Sequence, residues 1–368
     1  MSLKVAIFGG SFDPVHNEHI RLVEEAIKSL DLDELIIMPA GTPPHKSAKE
    51  RADASHRLKL CELAFSGIDK VRVSDYEIQN GGMSYTYLTC RHFKEKYKGA
   101  KLFWLVGTDM LRDFPTWKNP EEILSYVTLA VCARNENPNW LNKERQAFYE
   151  SFHCDFAVVD YNGKPVSSTE IRVLAGAGME IPQVPSVVAD YIQKRKLYEI
   201  PNADKALRLL SPKRKEHSLR VAVLSAKRAV EIGVSERKAI TASLFHDCAK
   251  YIELSSPLLK DFSLKEEWGR VPETVLHQFT GAYLAETAFG VQDGEVLDAI
   301  RYHTSGKENM TELGKLIFLA DMVEESRNFD GVEALRSLFY KGKGVGALDD
   351  CLQKALWQTV EFLEKKGA

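Results

Sequence analysis

The sequence predicts a two-domain protein, with an α/β domain built on a parallel sheet followed by an all-α domain. Three observations lead to this fold class. The chain has 368 residues, which is long for a single hydrophobic core. Up to about residue 160, short β-type segments alternate with helical patterns, which favours a parallel sheet covered by helices on both faces. From about residue 204 onward, apolar residues recur at helical spacing.

Six short apolar segments are the predicted strands of the first domain. They are rich in β-branched or aromatic residues and are bounded by turn residues, and helical stretches such as 19–30 and 54–65 lie between them. The predicted strands cover residues 3–10, 34–40, 70–77, 101–107, 127–134 and 154–161.

The second domain is predicted to contain helices and no strand. The break falls near "YEIPNADK", where Pro201 and Asn202 lie in a short polar stretch. We therefore expect domains over residues 1–200 and 204–368. The helical patterns cover residues 204–233, 235–252, 296–306, 313–327 and 349–366.

The composition excludes several classes of protein. The chain is 44% hydrophobic and 27% charged with a net charge of −3, so no excess of basic residues indicates a nucleic-acid partner. Six cysteines without Cys-x-x-Cys spacing are typical of free thiols in a reducing compartment. We find no apolar run of about 18 residues and no signal-peptide pattern. We expect a cytoplasmic protein without a membrane partner, and homo-oligomerisation stays open.

The stretch "FGGSFDPVHNEH" at residues 8–19 is the first candidate site. Gly9 and Gly10 end the first predicted strand and allow a ligand to approach the backbone closely. A helix predicted to begin between residues 17 and 19 would present free N–H groups to an anion. His16 and His19 can point to one side of that helix entrance. The spacing favours a phosphate site, while a plain Gly-Gly turn with two hydrogen-bonded histidines stays open.

This stretch resembles the signature of nucleotidyltransferases with a Rossmann-like fold and a paired-histidine motif. Their pattern is Gly-Gly-x-Phe-Asp-Pro followed by x-His-x-Gly-His, and "SSTEIR" at residues 167–172 resembles their phosphate-binding motif. Over residues 3–198 the chain is similar to bacterial nicotinate-mononucleotide adenylyltransferases. Further matching segments are residues 43–46, 84–89, 107–119 and 184–198.

The resemblance implies transfer of an adenylyl group from ATP to nicotinate mononucleotide in NAD biosynthesis, with nicotinamide mononucleotide as the alternative acceptor. The attacking phosphate is already anionic, so catalysis consists of alignment and charge stabilisation. Mg²⁺ would be held mainly by the ATP phosphates. By resemblance, His16, His19, Lys46 and Arg172 are catalytic, and Gly9, Gly10, Ser11, Phe12, Ser168 and Thr169 contact ATP.

The nicotinate pocket rests on analogy alone. The residues implied are Thr86, Asp109, Trp117 and Arg134. An alternative stays open for three of them. Trp117 could pack in the core, Asp109 could cap the helix that begins nearby, and Arg134 could be a solvated residue at the end of a strand.

Glu18 departs from the family pattern, which has glycine at this position. A carboxylate here would repel phosphates, or would point outward in the first helical turn, where an acidic residue suits the helix dipole. We expect an active enzyme with altered substrate affinity.

A second candidate site consists of six residues of metal-ligand type spread over the helical patterns. In helix bundles, metal sites are built from side chains that project inward from facing helices, although each histidine alone could be a buried, hydrogen-bonded core residue. The residues are His217, His246, Asp247, His277, His303 and Asp321.

Their order resembles the HD superfamily of metal-dependent phosphohydrolases, so the fold expected here is an all-α, HD-type helical domain. Residues 205–364 are similar to bacterial symmetrical diadenosine tetraphosphate hydrolases. The resemblance implies hydrolysis of diadenosine tetraphosphate to two ADP by two transition metals, with iron preferred over manganese or zinc. Asp247 would be catalytic as the bridging ligand. Lys250, Thr304, Ser305 and Gly306 would bind phosphate, with a surface lysine as the alternative for Lys250.

Two other interpretations of the second domain stay open. It could hydrolyse a different nucleotide, or it could be a metal-stabilised regulatory module without turnover. For the bifunctional interpretation, the expected partners are small nucleotides, namely ATP, nicotinate mononucleotide and diadenosine tetraphosphate.

Overall fold

A computed structural model describes residues 2–42, 51–134, 137–269 and 271–365; at 134, 138, 267 and 360–365 only the backbone is described. The chain divides into two compact units. The first unit is Met1–Ser168 with Ile181–Arg195, and the second is Thr169–Glu180 with Lys196–Ala368. Each unit has its own hydrophobic core.

The first unit contains a six-stranded sheet in which every paired strand is parallel. Its strands are β1 (Lys4–Gly10), β2 (Glu34–Pro39), β3 (Val71–Val73), β4 (Lys101–Gly107), β5 (Thr128–Arg134) and β6 (Ala157–Tyr161). The order β3-β2-β1-β4-β5-β6 reverses direction between β1 and β4. In such sheets ligands bind outside the carboxyl ends of the strands at this switch point. The stretches that follow Gly10 and Gly107 therefore flank the expected ligand position.

Helices connect these strands, and one of them continues into the second unit. They are α1 (Asn17–Leu30), α2 (Ala54–Phe65), α3 (Tyr76–Gln79), α4 (Thr86–Lys96), α5 (Thr108–Asp113), α6 (Pro120–Tyr126), α7 (Pro138–Phe152), α8 (Ser168–Gly176) and α9 (Ser186–Lys194), with a 3-10 turn at Phe114–Thr116. Ser168 belongs to the first unit, whereas the rest of α8 packs in the second.

The predicted α/β architecture is confirmed, but the prediction for the third strand was wrong at its end. The predicted strand over residues 70–77 stops at Val73, and α3 begins at Tyr76. The Ser74 hydroxyl accepts a hydrogen bond from the Tyr76 N–H at 3.3 Å. Such a local side-chain bond competes with the strand ladder and favours a turn.

The described part of the second unit is helical, as the sequence predicts, and contains no strand. Its helices are α10 (Ala203–Arg208), α11 (Pro212–Ile232), α12 (Glu236–Phe245), α13 (Leu276–Thr287), α14 (Gly294–Arg301), α15 (Glu312–Val323), α16 (Val332–Phe339) and α17 (Asp349–Lys365). Short 3-10 turns lie at Pro257–Leu259, Glu266–Trp268 and Glu273–Val275.

Four predicted helical patterns differ from the observed helices, and two of them, over 296–306 and 313–327, already end at Arg301 and Val323. The pattern over 204–233 is split into α10 and α11, because Ser211 caps a new helix through the Arg214 N–H at 3.4 Å and Pro212 occupies its first position. The pattern over 235–252 ends at Phe245, so His246 and Asp247 follow the helix instead of lying inside it. Among the residues described, we find no helix with the length and apolar character of a membrane span.

Candidate active sites

The first site lies where β1 ends and α1 begins. His16 precedes α1 as its N-cap, and the rings of His16 and His19 stack with their centroids 3.6 Å apart. The backbone N–H of His16 donates to Nδ1 of His19 at 3.1 Å. This bond fixes the His19 ring at the carboxyl end of β1, where the topology places a ligand.

The same bond decides which nitrogen of His19 carries the proton. Burial and the neighbouring charge of His16 hold the pKa of His19 well below its usual value, so the ring is neutral near pH 7. Since Nδ1 accepts a hydrogen bond, the proton of the neutral ring is on Nε2. His19 therefore offers an N–H donor, which suits a phosphate oxygen.

Packing explains several residues of the glycine-rich stretch. A Cβ on Gly9 would lie 2.6 Å from the Trp104 indole, so this glycine makes room for a side chain of β4. Phe12 is buried and its ring meets the His19 ring edge-on at 5.2 Å. The Ser11 carbonyl accepts a hydrogen bond from Arg57 at 2.9 Å.

Arg57 is a structural residue that the sequence did not single out. Its side chain is buried and donates to the carbonyl oxygens of Ser11, Gly41 and Ala52 at 2.9 to 3.1 Å. It therefore joins the segments that follow β1 and β2. Nothing in the sequence around residue 57 distinguishes it from a solvated helical arginine.

Glu18 does not point outward. Its carboxylate is buried, and Oε2 accepts a hydrogen bond from the backbone N–H of Lys164 at 2.8 Å. Oε1 lies 3.6 Å from the guanidinium of Arg21. The side chain is thus directed at the segment that leads from β6 to α8.

The "SSTEIR" motif is divided between the two units. Ser168 donates to the Pro14 carbonyl at 2.9 Å within the first unit. In the second unit, Arg172 donates to Thr169 Oγ1 at 3.0 Å and pairs with Glu236 at 2.6 Å. Glu236 begins α12 and was not anticipated from the sequence. It engages the guanidinium that the resemblance assigns to the triphosphate.

The residues expected around nicotinate occupy different settings. Thr86 is the first residue of α4, and Asp109 is exposed in the first turn of α5 without a side-chain cap at that helix start. Trp117 is half-buried and packs on Phe114 with ring centroids 5.3 Å apart. Arg134 ends β5, where only its backbone is described, and Lys46 lies outside the described residues.

The second site brings together all six residues predicted as metal ligands. Their ligand atoms form three overlapping groups, each within 4.8 Å, and only Asp321 is not fully buried. His246, His277 and His303 present Nε2 to the Asp247 carboxylate at 3.3, 3.4 and 3.6 Å. His217 presents Nε2 to Asp321 at 2.9 Å.

Three of these histidines are anchored through Nδ1. His246 donates to the Ser243 carbonyl at 2.6 Å, and His303 donates to the Ile300 carbonyl at 2.7 Å. His217 contacts Glu324 through Nδ1 at 3.0 Å. The Nε2 atoms of all three are buried and make no hydrogen bond of normal geometry. With the proton on Nδ1, each Nε2 directs a lone pair at a carboxylate oxygen.

This arrangement is suited to a cation. Lone pairs on imidazole nitrogen and carboxylate oxygen repel each other unless a proton or a metal ion lies among them. Burial disfavours the charged form of His246, yet the attraction of Asp247 raises its pKa. Burial also opposes ionisation of Asp247, but His246 and His303 hold its pKa well below the usual value. When the imidazoles have lost these protons, they form with the two ionised carboxylates a suitable donor set for a divalent transition metal.

Glu324 is the main residue that sequence reasoning missed at this site. Besides His217, it accepts hydrogen bonds from Arg220 Nε at 2.9 Å and from Ser326. Burial alone would raise the pKa of Glu324, but the bonds from Ser326, His217 and Arg220 lower it to about 2. An ionised carboxylate on Nδ1 fixes the ring orientation of a ligand histidine and makes its Nε2 more basic.

Three cationic side chains surround the two aspartates. Arg214 pairs with Asp247 at 2.9 Å. The Arg327 guanidinium donates to the backbone carbonyl and to the carboxylate of Asp321. Lys250 donates to His277 Nε2 at 2.9 Å and lies 3.9 Å from Asp247. Lys250 is therefore at the cluster, although part of its side chain is exposed, and burial lowers its pKa.

Gln278 organises the segment that carries Thr304 and Ser305. Its Oε1 accepts from the backbone N–H groups of both residues at 3.0 Å, and its Nε2 donates to Ser305 Oγ at 2.8 Å. Thr304 Oγ1 lies 3.3 Å from His277 Nε2. Gly306 follows with a positive φ of 65°. Thr304 therefore reaches the cluster, while two amides that could bind phosphate are engaged by Gln278.

Comparison with known proteins agrees with this division into two sites. A family model described as cytidylyltransferase-like matches residues 7–174, and the HD domain model matches residues 214–326. The chain is 27% identical over 331 residues to a Mycoplasma genitalium protein named "Probable nicotinate-nucleotide adenylyltransferase/Ap4A hydrolase", and the match covers 89% of both proteins.

Two further relatives each match one part of the chain. A "Probable nicotinate-nucleotide adenylyltransferase" of Clostridium novyi is 39% identical over 170 residues, which are 46% of this chain and 85% of that protein. The crystal structure of a "predicted HD superfamily hydrolase involved in NAD metabolism" from Clostridium acetobutylicum shares 32% identity at a TM-score of 0.38. That match covers 45% of this chain and 88% of the other.

Proposed function

The chain belongs to the nicotinate-nucleotide adenylyltransferase family and also carries an HD domain, and from this premise we propose that it is a bifunctional nucleotide enzyme. Its first unit transfers the adenylyl group of ATP to nicotinate mononucleotide, giving nicotinate adenine dinucleotide and pyrophosphate. Its second unit hydrolyses diadenosine tetraphosphate to two ADP. The name of the Mycoplasma genitalium relative joins the same two activities.

The geometry of His19 supports the adenylyl transfer most directly. A phosphate oxygen of nicotinate mononucleotide bonds to the α-phosphorus of ATP, and the bond from that phosphorus to the β-phosphate breaks. Pyrophosphate leaves, and no proton has to be removed from the anionic nucleophile. The neutral His19 ring donates Nε2–H to a phosphate oxygen and stabilises the charge that develops there. Mg²⁺ accompanies ATP and is held mainly by its phosphates.

A pyrophosphate-release assay on the full-length protein tests this half. ATP is supplied with either nicotinate or nicotinamide mononucleotide, and we expect faster release with the nicotinate form. Faster release with the nicotinamide form would show that nicotinamide mononucleotide is the preferred acceptor. No release with either form would refute the proposed adenylyl transfer.

The buried Nε2 atoms of His217, His246 and His303, each of which faces a carboxylate, support the hydrolase most directly. With His277, Asp247 and Asp321 they would hold two divalent ions, for which we propose iron, with manganese and zinc as alternatives. When bound, such a pair supplies Lewis-acid activation of water and of the phosphate. Asp247 faces three of these histidines and would be the ligand common to the two ions.

The cationic side chains give this site its affinity for a polyphosphate. Arg214, Lys250 and Arg327 neutralise the phosphate oxygens near the cluster. A water oxygen bonds to one of the two central phosphorus atoms, the central bridging P–O bond breaks, and the leaving phosphate takes up the proton. Two ADP molecules result.

Elemental analysis followed by a nucleotide hydrolysis panel tests the second half. We expect bound transition metal and the fastest turnover with diadenosine tetraphosphate. A different preferred nucleotide would change the substrate. A metal-free protein that stays inert after addition of Fe²⁺ or Mn²⁺ would leave a regulatory module instead of an enzyme.

A further inference from the structure

Glu18 makes a contact that the two reactions do not require. It lies in the first turn of α1 beside His19, and only 7% of the residue is exposed. An acidic residue at this position would be stabilised by the helix dipole even if it faced solvent. Burial of the carboxylate therefore needs a separate explanation, because an ionised group is costly to bury unless it is hydrogen-bonded.

The explanation lies in the segment between β6 and α8, residues 162–167. Glu18 Oε2 accepts the Lys164 N–H at 2.8 Å. One turn further along α1, Arg21 donates to the Asn162 carbonyl at 3.1 Å. Arg21 also lies 3.6 Å from Glu18 Oε1. Two adjacent side chains of α1 thus hold one N–H and one C=O of the same segment.

The far end of this segment is also attached to the histidine motif. Ser168 follows it directly and donates from its hydroxyl to the Pro14 carbonyl at 2.9 Å. The segment is therefore fastened near its start by Glu18 and Arg21 and at its end by Pro14. The bonds made by Glu18 and Arg21 are both charge-assisted, so they are stronger than the neutral bond from Ser168.

We propose that Glu18 is a positioning residue for adenylyl transfer, which holds residues 162–167 so that Ser168 stays aligned with His19. This rests on the transferase function proposed above. Loss of the carboxylate frees the segment, and the ATP phosphates lose a preorganised contact. His19 keeps its own anchor on His16, so ATP binding weakens more than the chemical step slows.

Glu18→Ala, Glu18→Gln and Arg21→Ala in the full-length protein test the proposal. Glu24 is exposed on the same helix, so Glu24→Ala is the matched control. For Glu18→Ala we expect the KM for ATP to rise roughly three- to tenfold with little change in kcat. Glu18→Gln should largely restore the KM, because its amide oxygen still accepts from Lys164. Arg21→Ala should show a smaller rise, and Glu24→Ala none.

Hydrogen exchange of residues 162–167 supplies a second readout that does not depend on either activity. We expect faster exchange in Glu18→Ala and wild-type exchange in Glu18→Gln, with hydrolysis of diadenosine tetraphosphate unchanged in both. Faster exchange with an unchanged KM would overturn the proposal, as would equal KM values for the alanine and glutamine variants. If Glu18→Ala does not fold, the KM values for ATP of Arg21→Ala and Glu18→Gln are compared with that of Glu24→Ala, and an Arg21→Ala value equal to the control would overturn the proposal. Wild-type protein without transferase activity would refute the proposed function alone.

Discussion

Both sites depend on histidines, but the rings of the two sites are in opposite tautomers. His19 accepts a backbone N–H on Nδ1, so its Nε2 carries a proton and can donate to an anion. His246 and His303 donate from Nδ1 to backbone carbonyls, so their Nε2 atoms are bare and can bind a cation. The hydrogen bond on one nitrogen therefore decides which kind of ligand the other nitrogen serves.

Helix polarity accounts for the difference. The start of a helix leaves backbone N–H groups without partners, and the end leaves carbonyl groups without partners. His19 lies in the first turn of α1 and meets the N–H of the N-cap His16. His246 and His303 follow the ends of α12 and α14 and meet carbonyls of Ser243 and Ile300 in the last turns. A histidine at a helix start thus offers an N–H donor that suits an anion, and one at a helix end offers a lone pair that suits a cation.

Removal of the Asp247 carboxylate should have the largest effect. In Asp247→Asn we expect hydrolysis to fall roughly a thousandfold, because a metal pair contributes several kcal/mol of charge stabilisation to such reactions. Adenylyl transfer by the same protein should be unchanged. Parallel hydrolysis and pyrophosphate-release assays measure both, and loss of both activities together would contradict two independent sites.

Glutamine substitutions distinguish a histidine that donates a hydrogen bond from one that binds a metal through a lone pair. Glutamine can place an N–H near the position of histidine Nε2 but lacks a basic lone pair there. We expect His19→Ala to lower kcat/KM for adenylyl transfer by about 10²- to 10³-fold and His19→Gln to retain much of the activity. In the second unit, His246→Gln should be as inactive in hydrolysis as His246→Ala. Equal defects for His19→Gln and His19→Ala would argue against the donor role.

Substitution of Glu324 tests whether its bond to His217 Nδ1 contributes to metal binding. Glu324→Ala should weaken metal affinity by about 10- to 100-fold, since residues that orient ligand histidines have effects of this size. Chelator competition monitored by metal analysis measures the affinity directly. Glu325 is the adjacent exposed carboxylate, and Glu325→Ala is the control. Metal affinity that is equal in both variants would show that the bond to His217 Nδ1 is dispensable.

The smallest expected effect concerns pH. Burial and the His16 charge lower the pKa of His19, so its protonated form appears only well below pH 6.5. We expect an NMR titration of the His19 ring to show no midpoint between about pH 6 and 8. Metal affinity of the second unit should instead fall as pH falls, because ligand histidines must lose their protons. A His19 midpoint near 6.5 would contradict the lowered pKa and the neutral ring.

Residue type and spacing were sufficient to predict the α/β and all-α division and the six-residue cluster. His217, His246, Asp247, His277, His303 and Asp321 converge in the second unit, as metal chemistry on inward helix faces requires. Helix ends were harder to predict. The pattern over 235–252 did not show that α12 stops at Phe245, which is what gives His246 its carbonyl partner.

Long-range partners could not be predicted for a different reason. Glu324 and Glu325 are adjacent and chemically identical, yet only Glu324 is buried against His217. Glu18 reads as an ordinary first-turn carboxylate, and its bond to Lys164 joins residues 146 positions apart. The pairing of Arg172 with Glu236 likewise depends on how helices pack, which local patterns do not specify.

The tautomers of the histidine rings test the central claim most directly. Long-range ¹H–¹⁵N NMR spectra of the zinc-loaded protein with labelled histidine distinguish an Nε2–H ring from an Nδ1–H ring. We predict the Nε2–H tautomer for His19 and the Nδ1–H tautomer for His217, His246 and His303. The same tautomer in both sites, or an Nδ1–H form of His19, would contradict the account.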